Sequence, residues 1–332
     1  MLHKRGLLML ILCVILVFEG CMPESAITDD GKGGENNKEV FLHTVHYTDV
    51  GQGDYILLKF SDGVNVLIDC GENVNNNATK IQNYLEFQDV SKIDYFILTH
   101  PDGDHIGNAK SIINSVEIET IYFCDIPNNF LSNFVEVAEI KSLAKDKNIN
   151  FKPSRTGEKI KGENYTLAFL SPEPAINKDS PYKALMINPL DEDARNNVSP
   201  MLYGDINGVR FLFTGDAGES QEAFVLSNYK TNIYSQMFYD DNINVNLENI
   251  DVLKLSHQGA EGGSSKDFLE LLNPKHAVIM VGANNNYYHP SISVLYRLQE
   301  ICPLHELYRT DQRGNVVVGI RQDKTYKFTT EI

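Results

Sequence analysis

Leu98-Thr99-His100-Pro101-Asp102-Gly103-Asp104-His105 decides the reading of this 332-residue chain. Its first residue closes the apolar run Tyr95-Phe96-Ile97-Leu98, which reads as a buried strand. Two histidines and two carboxylates then fall between positions 100 and 105. A strand ending in such a cluster delivers imidazole and carboxylate ligands from one short loop, a donor mixture suited to a divalent metal. The alternative is a polar strand-to-helix turn, with Asp102 or Asp104 capping a helix that begins near Ile106. A lone Asp or His would favour the turn. The full combination favours the metal, because the rest of the chain supplies matching parts.

A formal net charge of -16 with 42% hydrophobic residues implies a large core and no broad polyanion-binding surface. A local basic groove or metal-assisted phosphate binding stays open. Lys4 and Arg5, the apolar run Gly6 to Phe18, and then Gly20-Cys21 are ordered like a bacterial lipoprotein signal. Residues 1–20 are expected to be removed, with Cys21 lipidated and the protein held on the extracytoplasmic face of the cell membrane. Residues 21–38, rich in Asp, Gly, Glu and Asn, read as a flexible tether. The folded unit is then 39–332. Cys70, Cys124 and Cys302 lack CxxC spacing and are expected to be buried free thiols.

Within that unit, short apolar runs alternate with helical patterns. Val40–Thr48, Tyr55–Phe60, Val64–Asp69, Asp94–Thr99 and Ile118–Phe123 read as strands. Ala78–Gln88, Gly107–Asn114 and Phe130–Lys147 read as helices, the last being the clearest amphipathic one. Later, Met201–Ile206 and Val209–Thr214 form a hairpin across Asn207-Gly208. Val252–Ser256, His276–Val281 and Val316–Ile320 are further strands, with helices near Ser220–Tyr229, Lys266–Leu272 and Ser291–Glu300. Two αβ halves, each with a β-rich start, predict two sheets packed face to face with helices outside, a four-layer αββα sandwich.

Several motifs between Val45 and Val318 carry a resemblance. They are Asp49-Val50-Gly51-Gln52-Gly53-Asp54, Leu67-Ile68-Asp69-Cys70-Gly71, and His100 to Gly107. Asn196-Asn197-Val198-Ser199, Phe213-Thr214-Gly215-Asp216 and Leu253-Lys254-Leu255-Ser256-His257-Gln258-Gly259 follow. Tyr288-His289-Pro290 and Arg309-Thr310-Asp311-Gln312-Arg313-Gly314 complete the set. In this order they resemble the metallo-β-lactamase superfamily, and within it the extracellular hydrolase domain of the ComEC/Rec2 competence-protein family.

The resemblance implies two divalent metal ions, Zn2+ or Mn2+. His100 and Asp102 would bind one, Asp104 and His105 the other; Asp216 would bridge both and His257 complete the second site. Two cations ~3.5–4 Å apart need several anionic ligands and a shared bridge. Asp104, Asp216 and His289 are the candidate catalytic residues; His289 would touch substrate or leaving group, unless it caps the helix after Pro290. Asp102 stands where the wider superfamily usually has His, which favours manganese. Asn196–Ser199 occupies a region that usually holds a ligand His, so one site is expected to be ligand-poor. Gln258 replaces the second His of a His-His-Gly run, leaving His257 as the ligand candidate there.

Asp69 is expected to hydrogen-bond the metal loop, with turn chemistry as the alternative for Asp49, Asp54 and Asp69. Asn285 and Asp311 are weaker candidates for the cleft wall. His43, His46, His276 and His305 match no motif and read as ordinary strand or surface histidines. The resemblance implies a phosphodiesterase or nuclease using a bridging hydroxide, with nucleic acid or a nucleotide as substrate. An amide or ester hydrolase of lactam or lactone type, and a surface binding protein with weakened catalysis, are the rival readings. No protein partner is implied.

Overall fold

A computed structural model of the chain describes residues 39–74, 76–174, 180–302 and 306–332. The proposed signal, the tether, Cys21 and His305 lie outside these residues. Val40–Ile332 forms one compact unit. No described helix is long and apolar enough to cross a membrane.

Fifteen strands occur among the described residues. The first half supplies β1 (His43–Tyr47), β2 (Ile56–Lys59), β3 (Asn65–Ile68), β4 (Lys92–Ile97), β5 (Glu117–Phe123) and β6 (Asn150–Pro153). The second supplies β7 (Lys159–Gly162), β8 (Tyr165–Phe169), β9 (Leu202–Ile206), β10 (Val209–Phe213), β11 (Val252–Lys254), β12 (His276–Ile279) and β13 (Leu307–Arg309). The last two are β14 (Val316–Ile320) and β15 (Tyr326–Thr330). One sheet runs β15-β14-β1-β2-β3-β4-β5-β6 and the other β13-β12-β11-β10-β9-β8-β7. The halves are therefore not closed units: β14 pairs antiparallel with β1 and completes the first sheet.

Side-chain alternation sorts the layers. Phe211 and Phe213 of β10 enter the core between the sheets, whereas Leu212 faces the opposite way. Val252 and Leu253 of β11, and Val278 and Ile279 of β12, divide in the same manner. Tyr47 meets Phe213 across the gap at 6.3 Å between ring centroids, and Tyr122 meets Phe169 at 5.0 Å. Helices Asn77–Phe87 and Val135–Asp146 pack Ile81, Leu85, Val137 and Ile140 onto the outside of the first sheet. Helices Glu219–Lys230, Lys266–Leu272 and Ile292–Gln299 cover the second with Val225, Phe268, Leu269 and Leu298. This is the αββα sandwich.

Two local differences from the sequence reading have physical causes. The stretch read as one helix from Phe130 is a 3-10 turn, Asn128–Asn133, followed by the helix Val135–Asp146. Phe134 breaks it with a non-helical backbone, φ -131° and ψ 69°, and its ring is buried; the Asn-rich turn favours non-helical backbone. The helix near Gly107 is split into Gly103–Ile106 and Ala109–Ser115. Its first turn starts at Gly103, and Asp102 at its head makes no side-chain cap.

β3 to β6 and β10 to β13 are parallel runs. Parallel runs concentrate loops at the carboxyl ends of their strands, where open α/β sheets bind ligands. Asp69, His100, Asp216, His257 and the 282–289 loop follow β3, β4, β10, β11 and β12 respectively.

Candidate metal centre

Asp69 organises the site from the end of β3. Its backbone takes a positive φ of 55° and its amide donates to Ile97 O at 2.8 Å. One carboxylate oxygen accepts from Thr99 N at 2.8 Å; the other accepts from Thr99 Oγ1 and His105 Nδ1, each at 2.7 Å. A proton held at Nδ1 leaves the His105 Nε2 lone pair pointing away from Asp69.

That nitrogen lies 3.1 Å from Asp216 Oδ2 and 3.7 Å from Asp104 Oδ2. His100 packs beside it, with ring centroids 4.2 Å apart and Thr99 Oγ1 3.0 Å from its Nδ1. His100 Nε2 is buried and has no hydrogen-bond partner. Ligand atoms of His100, His105 and Asp216 fall within 4.8 Å of one another. Asp102 Oδ2 is 3.8 Å from His100 Nε2, while its Oδ1 is ion-paired with Arg195. His257 Nε2 is 3.7 Å from Asp216 Oδ2 and 3.8 Å from Glu192 Oε1. Three of the six predicted ligands thus lie mutually close, and Asp102, Asp104 and His257 each approach one of them, at 3.8, 3.7 and 3.7 Å. An orphaned imidazole nitrogen facing buried carboxylates is a donor set that fits a divalent cation.

The electrostatics agree. Burial, reinforced by His105, pushes His100 down to about 3, so it is a neutral donor. Burial opposes a proton on His105, but Asp216, Asp104 and Asp69 outweigh it and raise its pKa. Burial likewise works against ionised Asp216, yet His105 and His257 hold its carboxyl well below the usual range.

Two participants, Lys254 and Arg195, were not assigned a role from sequence. Lys254, wholly buried on β11, is ion-paired with Asp54, donates to Gly215 O at 2.9 Å and lies 3.7 Å from Asp216 Oδ1. Its only signal was a charge inside the apolar run Val252-Leu253-Lys254-Leu255. Asp54 is therefore a buried ion-pair partner, not only a turn residue. Asp49 does make the turn, accepting from Gly51 N at 2.9 Å. Arg195 sits on a helix, Glu192–Asn196, that the sequence reading left out; Asp191 caps it by accepting from Ala194 N at 3.0 Å.

Gln258 also enters the cluster. His257 and Gln258 both take φ of 48°, which turns the Gln258 amide inward to 2.9 and 3.1 Å from the Asp216 oxygens. Asn196 Nδ2 lies 3.3 Å from His257 Nδ1, and Ser199 Oγ accepts from Asp216 N at 3.4 Å. The Asn196–Ser199 segment therefore buttresses ligands.

His289 reaches the same cleft, its ring 5.3 Å from that of His257, with Nδ1 buried and unpartnered. Ser291, not His289, caps the following helix, accepting from Val294 N at 3.3 Å. Asn285 holds His289 from both sides, accepting from its N at 3.0 Å and donating to its O at 2.7 Å. Asp311 instead forms a bidentate ion pair with Arg309, 3.0 and 2.6 Å, away from the metal cleft. His46 and His276 are engaged locally, by Tyr84 and Glu306, and His43 is buried in its sheet. All three described cysteines are buried free thiols.

An αββα sandwich with a histidine–aspartate cluster at its strand ends is the scaffold of a metal-dependent hydrolase. The family profile described as the metallo-beta-lactamase superfamily matches residues 48–283. The chain belongs to that superfamily. It is 27% identical over 218 residues to ComE operon protein 3 of Bacillus subtilis, covering 64% of this chain and 23% of that protein. It is 30% identical over 133 residues to competence protein ComA of Neisseria gonorrhoeae, covering 40% and 16%. The matches thus span less than a quarter of either relative's length. Igni18, a metallo hydrolase from Ignicoccus hospitalis, is similar in structure at 14% identity and a TM-score of 0.44, covering 86% of this chain and 98% of that one.

Proposed function

We propose that the chain is a phosphodiesterase acting on nucleotides or short single strands, held outside the cytoplasm by a lipid on Cys21. The supporting observation is the convergence of His100, His105 and Asp216 within 4.8 Å, with Asp216 lining a cleft of about 500 Å3. His100, Asp102, Asp104, His105, Asp216 and His257 would hold two divalent ions. Such ions, when bound, polarise a phosphoryl oxygen and lower the pKa of water. Asp69 orients His105 throughout, and Asn285 fixes the backbone of His289. Burial, followed by His257, lowers the His289 pKa, so its imidazole is neutral and carries one N–H, suited to donate to a leaving oxygen.

The lining favours a small substrate. Glu72, Asp102, Asp104, Glu136, Glu192 and Asp216 face the cleft, against Arg195 as its one Lys or Arg among the described residues. Even two divalent ions leave no row of cations for a long polyanion to follow. Phe134, Val135, Leu190 and Tyr287 supply an apolar wall on which one base could rest. The same wall favours a second reading, an ester or amide hydrolase of lactone or lactam type.

The deciding experiment adds manganese or zinc to metal-free protein. It then measures turnover of bis(p-nitrophenyl) phosphate, a dinucleotide, single- and double-stranded DNA, and nitrocefin. Turnover of the first two ahead of duplex DNA and nitrocefin is expected; nitrocefin alone would replace this reading with the second. Asp216→Ala should lose at least about a hundredfold in rate with its circular dichroism intact. A loss below about threefold, only ~0.65 kcal/mol of barrier, would remove the bridging role. Mass spectrometry of protein extracted from cells tests the anchor: an unmodified Cys21, or a mature chain retaining residues before it, refutes it.

A further inference from the structure

The Gln258 amide has a fixed direction. Gly282 N donates to Gln52 Oε1 at 3.2 Å. A backbone N–H only donates, so the Gln52 oxygen must face it and the Gln52 NH2 must face away. That NH2 donates to Gln258 Oε1 at 3.2 Å. The Gln258 NH2 is thereby turned into the cluster, 2.9 Å from Asp216 Oδ2, 3.1 Å from Asp216 Oδ1 and 3.1 Å from His105 Nε2. The relay is tight: Gln258 is 1% exposed, and a Cβ on Gly282 would stand 2.9 Å from Gln52 N.

An NH2 group is a hydrogen-bond donor without a lone pair to offer a cation. We infer that Gln258 is a built-in competitor for the metal position bounded by Asp104, His105 and Asp216. A cation there must displace the Gln258 NH2 from Asp216. To become a ligand, Gln258 would have to flip together with Gln52, leaving Gly282 N–H facing another donor. At the position bounded by His100 and Asp102, Arg195 pairs with Asp102 Oδ1 but leaves Asp102 Oδ2 3.8 Å from the unpartnered His100 Nε2, and no amide NH2 is among the described contacts of that nitrogen. The centre therefore binds one divalent ion tightly and a second weakly, and its fully loaded state follows the ambient metal concentration. This rests on the reading of the cluster as a divalent-metal centre.

Calorimetric titration of the metal-free full chain with Mn2+ tests it. Wild type should show two dissociation constants at least tenfold apart. Gln258→His or Gln258→Glu, each with wild-type circular dichroism, should tighten the weaker site at least tenfold and leave the stronger within threefold. Gln52→Ala, which frees the Gln258 amide to turn, should tighten the weaker site about threefold. Two wild-type sites within threefold of each other would overturn the inference and spare the metal-centre reading, as would folded Gln258 variants with an unchanged weaker site. Absence of any Mn2+ or Zn2+ binding by wild type would overturn both. If neither Gln258 variant folds, the spacing of the wild-type constants decides alone.

Discussion

The ammonium of Lys254 is ion-paired with the carboxylate of Asp54, and neither side chain is more than 1% exposed. Asp54 lies in the loop between β1 and β2 of one sheet, and Lys254 on β11 of the other. The pair is thus an ionic pin through the sandwich, directly beneath Asp216. Burial pushes the Asp54 pKa up to about 6 against the pull of Lys254. Burial would discharge Lys254, but Asp54 and Asp216 keep it protonated. Removing one partner strands the other charge in the core. Lys254→Met should cost ~3–5 kcal/mol in urea unfolding. Adding Asp54→Asn should recover most of that loss; a double variant no better than the single would refute the pairing.

Asp69 should set metal affinity without touching metal. In Asp69→Ala, His105 loses the acceptor that fixes its tautomer and ring angle, and Thr99 N loses its partner. Loss of such an outer partner typically costs ~10–100-fold in affinity. Titration of Mn2+ into folded variant and wild type measures it, and equal affinities would show that His105 needs no orienting group.

Gly53 should tolerate no side chain. Its φ is 102°, and a Cβ would stand 1.9 Å from the backbone oxygen of Asp104. Backbone meets backbone there, so the clash cannot be relieved by a rotamer. Gly53→Ala should lose at least ~3 kcal/mol and shift the metal loop. A melting temperature equal to wild type would mean that the loop is free to move.

His46 should make stability fall in acid. Burial, with Lys59 adding to it, lowers its pKa from 6.5 to about 3. Its two nitrogens meet Tyr84 OH and Thr44 Oγ1, each at 2.8 Å. The folded state keeps His46 neutral while the unfolded chain takes up a proton. Its contribution is therefore full above pH 6.5 and is lost as pH falls toward 3, at up to ~1.4 kcal/mol per pH unit. Between pH 7 and 5, His46→Gln should lose about 2 kcal/mol less than wild type in urea unfolding. Parallel loss in both proteins would assign the acid sensitivity elsewhere.

What was legible in the sequence were features with local causes. The Asn207-Gly208 turn, with φ of 51° and 82°, needs only its own residues to be recognised. The His100–His105 loop concentrates its chemistry in six consecutive positions. Lys266–Leu272 follows a Ser and ends at Asn273, which takes the left-handed conformation that Asn favours, so its bounds are local. Features that depend on distant partners stayed hidden. Lys254 looks like a misplaced surface charge until Asp54 is brought against it. Gln258 looks like a lost ligand until Gln52 and Gly282 fix which end of its amide faces inward. The short strands β6, β7 and β13 show no burial alternation that would betray them. The return of β14 to the first sheet has no local signature at all.

That return has a consequence for how the protein is made. β1 is hydrogen-bonded on one side to β2 and on the other to β14. As the chain emerges from the ribosome, β1 remains an open edge until Val316–Ile320 has followed. Pairings so far apart in sequence slow folding and prolong exposure of an adhesive strand. The nascent protein thus passes through an interval in which His43–Tyr47 is an unpaired edge on one side.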